Sequence, residues 1–101
     1  MRTVEDFKKM GNYQKLVTTL KNLGVHGSLY LCNTYMHNPR SKPYVVIIAP
    51  NADVVDEALE MAIPALENED ADYYGPSEFG IFVVVFDTYE GMGGFTLLEE
   101  V

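Results

Sequence analysis

The chain is poor in the residues that carry most recognisable chemistry. It has no tryptophan and one cysteine, Cys32. A single thiol excludes an internal disulfide and fits a reducing compartment. No apolar run nears the ~20 residues needed to cross a bilayer as a helix. The opening stretch Met1-Arg2-Thr3-Val4-Glu5-Asp6 lacks the apolar core of a secretory signal. The expectation is a cytoplasmic protein with no membrane partner. The most informative absence is positive charge: the 59 residues from Pro43 to Val101 contain no Lys or Arg.

Charge is therefore segregated along the chain. All seven bases (Arg2, Lys8, Lys9, Lys15, Lys21, Arg40, Lys42) lie in the first 42 residues, beside only Glu5 and Asp6. That segment carries +5, and the remainder, with 13 acids, carries −13, for a net charge of −8. Phosphates would be repelled by the second half, so direct binding of nucleic acid or of an anionic membrane there is not expected. At 101 residues and 48% apolar composition, the chain has the size and content of one domain, residues 1–101, with a single core.

Periodicity divides the chain into seven elements. Thr3 followed by Asp6 resembles a capping box, with Asp in place of the preferred Glu. Val4 and Phe7 are the apolar face of the short helix it opens. Tyr13, Leu16, Val17, Leu20 and Leu23 mark a second helix. At about 100° per residue the two apolar sets point in nearly opposite directions, so one straight helix cannot bury both. The break is expected at Gly11-Asn12, with Asn12 as the cap of the second helix. Gly24 is placed to end it in a left-handed C′ conformation, with Leu20 and Val25 in the contact of a Schellman motif.

Ser28 to Met36 reads as a strand and His37 to Pro43 as a hairpin loop dense in turn formers. Tyr44 to Ala49 is a second strand, apolar on both faces. Asp53 is expected to cap a helix running to about Asn68, with Val55, Ala58, Leu59, Ala62, Ala65 and Leu66 on its apolar side and a kink at Pro64. Residues 68–79 read as a loop and Gly80 to Asp87 as a strand. Glu90-Gly91-Met92-Gly93-Gly94 reads as a hairpin turn, and Phe95 to Val101 as the last strand. The order (αα)ββ-αββ implies an α+β fold: a four-stranded antiparallel sheet with helices packed on one face.

No constellation for catalysis appears. His26, Cys32 and His37 match no zinc spacing and lack a fourth ligand. A Cys–His nucleophile pair has no orienting partner. The loop from Asn68 lacks the Gly and Glu that a calcium loop needs. The glycines around Met92 lack a P-loop lysine and precede a strand rather than a helix. No enzyme activity, metal or cofactor is expected.

The sharpest feature is an acidic row. Asp53, Asp56, Glu57, Glu60 and Glu67 fall within about 100° of one another on the helical wheel, opposite the apolar side. Glu69, Asp70, Asp72 and Glu78 extend the charge into the loop, where Tyr73 and Tyr74 would either serve as aromatic anchors for a partner or fold back to close the core. Such a row can stand in for a phosphate backbone and attract a protein whose basic groove is built for nucleic acid. The bland alternative is a solvated helix face, but solvated faces ordinarily mix signs. The expected function is a small acidic protein–protein interaction module, an inhibitor that occupies the basic nucleic-acid-binding surface of its target. In character, small and acidic without a catalytic signature, the chain is similar to phage-encoded inhibitors of host defence or host nucleic-acid enzymes; that likeness assigns no residue. An immunity- or antitoxin-like binder of a basic toxin is the alternative. A third reading is a self-associating module, a homodimer joined through the +5 and −13 segments or through the terminal strand.

Overall fold

The computed structural model of the chain describes residues 3–38, 40–62, 81–88 and 93–101. Its elements are α1 (Val4–Lys8), α2 (Gly11–Asn22), β1 (Ser28–Cys32), α3 (Asn33–His37), β2 (Tyr44–Ile48), α4 (Ala52–Ala62), β3 (Phe82–Phe86) and β4 (Phe95–Glu100). The four strands form one sheet in the order β3-β2-β1-β4. The fold is α+β, with helices gathered on one face of the sheet.

That face is built by strand alternation. Leu29 and Leu31 of β1 stand opposite Ile47 and Val45 of β2, and Val45 stands opposite Val83 of β3. These five side chains are buried and share one core cluster with Phe7, Tyr13, Leu16, Leu20, Tyr35, Val55 and Leu59 from all four helices. Fully burying an aliphatic or aromatic side chain of this size contributes about 1.5–3 kcal/mol. On β4 a register shift opposite Leu29/Tyr30 inserts Leu98, which turns into the same core.

The helix ends follow the sequence closely. Thr3 Oγ1 accepts from the Asp6 amide at 3.2 Å, and the Asp6 carboxylate accepts from the Thr3 amide at 3.1 Å, completing a capping box. These hydrogen bonds hold the Asp6 carboxyl below the usual carboxylate range. The break between α1 and α2 falls at Lys9-Met10, two residues before the expected one. Met10 rather than Asn12 occupies the N-cap, with no side-chain hydrogen bond, and Asn12 lies inside the first turn. The break lets Phe7 meet Tyr13 with ring centroids 5.0 Å apart. Gly24 has φ 72° and terminates α2. The Val25 amide donates to the Leu20 carbonyl at 3.0 Å and the Gly24 amide to the Lys21 carbonyl at 3.1 Å, the two hydrogen bonds of a Schellman motif.

Three expectations are corrected. The strand expected to reach Met36 ends at Cys32, and the chain turns into α3. That turn swings Tyr35 beneath α1, where its ring lies 5.5 Å from that of Phe7 and its hydroxyl donates to Met10 Sδ. The sheet is mixed, not antiparallel throughout: β1 is antiparallel to β2 and β4, but β3 is parallel to β2, Tyr44 pairing with Phe82 and Ile48 with Phe86. Parallel neighbours need a crossover connection rather than a tight turn, and α4, packed against β3, lies between β2 and β3 in the chain. Finally, β3 and β4 are not a hairpin. They occupy opposite edges; Phe86 shares a row with Ile48, Ser28 and Glu100, whereas Phe95 begins at the other end beside Cys32. Residues 89–92 of the intended turn lie outside the described residues, as do Pro64 and its expected kink.

α4 also begins before Asp53. Asn51, at φ 55°, precedes the helix, and its carbonyl accepts from the amides of Val54 and Val55 at 3.0 and 3.2 Å. Asn tolerates this left-handed conformation better than most residues. Asp53 is thus a first-turn residue rather than the cap, placed where the positive end of the helix dipole favours a carboxylate.

Two outcomes test this account. Gly24→Ala meets no steric obstacle, since a Cβ there has nothing within 4 Å, yet it forces an L-residue into φ 72°. It should lower stability in urea denaturation by about 1–2 kcal/mol. The buried Tyr13 hydroxyl donates to Glu99 Oε1 at 2.6 Å, and burial, that hydrogen bond and the Glu99 charge together raise its pKa well above the usual 10.0. Because the folded pKa exceeds the unfolded one, this contribution is complete below pH 10 and is lost as pH rises above it. Tyr13→Phe should weaken the fold by about 1–2 kcal/mol at neutral pH. It should also flatten the loss of stability expected as wild-type melts are taken above pH 10.

Candidate acidic interface

The acidic row rests on how α4 meets the sheet. Val55 and Leu59, four residues apart, are buried in the core, and Ala52 is buried beside them. Packing of α4 against β3 turns the opposite side of the helix to solvent. Asp53, Glu57 and Glu60 are exposed there, and Asp56 is half-buried and engaged in a contact of its own. At about 100° per residue, Asp53, Glu57 and Glu60 lie within roughly 60° of one another, and they span ~10 Å of helix axis. No basic residue occupies the last turn of α4.

Glu67, Glu69, Asp70, Asp72, Tyr73, Tyr74 and Glu78 lie outside the described residues. The described row is therefore Asp53, Asp56, Glu57 and Glu60, four of the eleven residues of the expected site.

The position of the lysines decides whether this negative field survives. α4 packs on β3 and α1 on β4, and these are the two opposite edges of the sheet. Three interstrand spacings separate the edges, about 14 Å, which exceeds the Debye length of about 8 Å at physiological salt. Lys8 is held at the far edge, where its ammonium donates to the Leu98 carbonyl at 3.0 Å. Lys9, next to it on α1, acts on the Asp6 carboxylate. Lys15 and Lys21 are exposed on α2, whose Tyr13 is tied to β4 through Glu99. The described contacts of Lys8 and Lys42 are with a backbone carbonyl and with the Phe82 ring, not with the carboxylates of α4.

Two residues of this surface escaped the sequence reading. Val54 is 66% and Met61 85% exposed. Seven residues apart, they stand on the same side of α4 and flank the carboxylates. The wheel carried the signal, since neither falls in the arc of Val55 and Leu59, but the apolar positions expected inside drew attention away from the apolar ones outside. Of the expected inner set, Ala58 is half-buried and Ala62 exposed.

The soft ligands do not assemble. His26 and His37 are exposed, and Cys32 is a half-buried free thiol whose Sγ donates to Thr34 Oγ1 at 3.5 Å. Among the described residues no three of His, Cys, Asp and Glu are grouped to hold a metal ion. No helix among them is long and apolar enough to cross a membrane. No family model, curated protein or solved structure matches the chain.

The row carries a measurable cost. Glu57 faces Asp53 one turn before it and Glu60 one turn after, and each like-charge pair destabilises a helix by about 0.2–0.5 kcal/mol. Glu57→Gln should therefore stabilise the protein by about 0.4–1 kcal/mol in thermal melts at low salt. The gain should shrink towards zero at 1 M salt, where the Debye length falls to about 3 Å.

Proposed function

We propose that this protein is an acidic, non-enzymatic interaction module of the cytoplasm that occupies the basic, nucleic-acid-binding surface of a target protein. One observation carries the reading: Asp53, Glu57 and Glu60 form an exposed row on α4, at the sheet edge opposite the one that holds Lys8. Carboxylates at this spacing, with no interleaved base, offer a cationic groove the kind of field that a phosphate backbone offers. The exposed Val54 and Met61 beside them supply apolar contact of a kind nucleic acid lacks, which favours a protein as the partner. Steering by such a field accelerates association and weakens with ionic strength.

The test is affinity capture from native cells at low and high salt, followed by competition with duplex DNA and with RNA for whatever is captured. The expected partner binds nucleic acid by itself, is displaced by it, and leaves the complex as salt rises. Glu57→Lys combined with Glu60→Lys should weaken the complex at least tenfold, about 1.4 kcal/mol or more, while circular dichroism shows the fold unchanged. Undiminished binding by the folded double variant would refute the proposal.

A further inference from the structure

The end of the sheet where β1 finishes and β2 begins carries a second, chemically different surface. Cys32, Tyr44, Phe82 and Phe95 share one row there, on the face turned away from the helical core. The rings of Tyr44 and Phe95 meet edge to face over the Cys32 position, with centroids 5.8 Å apart. Beside them opens a cavity of about 280 Å³, walled by Tyr44, Phe95, Tyr35 and Cys32 and closed on its polar side by Thr34, Ser41 and Lys42. That volume lies near the lower end for small-molecule sites, which are mostly apolar with few polar groups.

The charge here is the reverse of that on α4. Among the described residues no carboxylate lines the cavity. His37 ends α3, and the loop that follows and supplies Ser41 and Lys42 to the cavity carries Arg40 and Lys42; all three basic side chains are exposed. The loop is tied in place: the Arg40 amide donates to Asn38 Oδ1 at 3.0 Å, and Ser41 Oγ donates to the Asn38 carbonyl at 2.9 Å. Lys42 is part of the cavity wall, and its ammonium lies 5.5 Å from the centroid of the Phe82 ring on the adjacent strand, a cation–π contact that leaves its charge intact.

We propose that this cavity binds a small aromatic anion, its ring against Tyr44 and Phe95 and its anionic group at the Lys42 ammonium. Aromatic walls select a flat ring through edge and face contacts. The lysine, as a point charge with three donors, selects phosphate or carboxylate over a neutral substituent. The site is independent of the acidic row, and its failure would leave the reading of α4 untouched.

The experiment is a titration followed by amide NMR, with phenyl phosphate and benzoate as probes and with phenol and inorganic phosphate as controls. Saturable shifts are expected at Thr34, Ser41, Tyr44 and Phe95, with each control roughly tenfold weaker because it supplies only half of the recognition. The tighter of the two probes identifies the anionic group. Lys42→Ala should weaken binding roughly tenfold, whereas Lys15→Ala, on the exposed side of α2, should leave it unchanged. Bound probe should also slow alkylation of Cys32, the only thiol. Shifts that fail to saturate at millimolar probe, or binding equal in wild type and Lys42→Ala, would overturn the assignment.

Discussion

The antiparallel pairing of β1 with β2 is the constraint from which the rest of the structure follows. Leu29, Leu31, Val45 and Ile47 are fully buried on one side of that pair, and together they require a cover of helices on that side. The first two helices and the third reach it from the β1 side of the chain. α4 reaches it from β2, and in doing so commits β3 to run parallel at the outer edge. β4 then closes the opposite edge against β1, where the Leu98 insertion adds one more side chain to the core. Once this pairing forms, the position of every charged helix follows: α1 with its lysines at one edge, α4 with its carboxylates at the other.

Local chemistry was legible in the sequence wherever a single residue type decides the geometry. Thr3 and Asp6 announced a cap, and Gly24 announced a left-handed stop, because few other residues fill those roles. The apolar positions Leu16, Val17 and Leu20 marked the buried side of α2 by spacing alone. Long-range choices were less legible. The parallel sense of β3 was implied by a helix lying between two strands that are apolar on both faces, but the glycines after Tyr89 suggested a tight turn and hence a hairpin. β4 instead paired with β1, an outcome that depends on which edge remains free and not on the sequence between Asp87 and Phe95. The end of β1 was missed for a related reason: Tyr35 fits a strand by propensity, and only the presence of Phe7 and Met10 below makes a helical turn there favourable.

The acidic row was legible because charge and helical period are both written in the primary structure. Its boundary was not. Asp56 and Glu57 are neighbours in sequence with the same charge, yet the angular step between them makes one half-buried and the other exposed. Exposure of Val54 and Met61 depends on which arc of α4 meets β3, and the wheel alone gives that arc only to within a residue or so. The aromatic end of the sheet was invisible for a stronger reason. Tyr44, Phe82 and Phe95 are far apart in the chain, and only the strand order β3-β2-β1-β4 aligns them in one row.

A fold that stabilised itself by every available means would not leave α4 as it is. Asp53 gains from the helix N-terminus, but Glu57 and Glu60 lie beyond the first turn, where the dipole no longer helps. Each adds repulsion to its neighbours, and a lysine at Val54, three residues before Glu57, would have relieved it at little cost to packing, since that position is exposed. Lysines exist in this chain, yet the fold anchors Lys8 against the far edge of the sheet and directs Lys42 to an aromatic ring. Departures from local optimality tend to mark function, because interactions absent within the chain are then supplied from outside it. Under the function proposed above, the favourable counterpart of the Asp53–Glu60 row would be a cationic surface on another molecule. At a separate place on the same sheet, the aromatic anion proposed above would be the corresponding counterpart of Lys42.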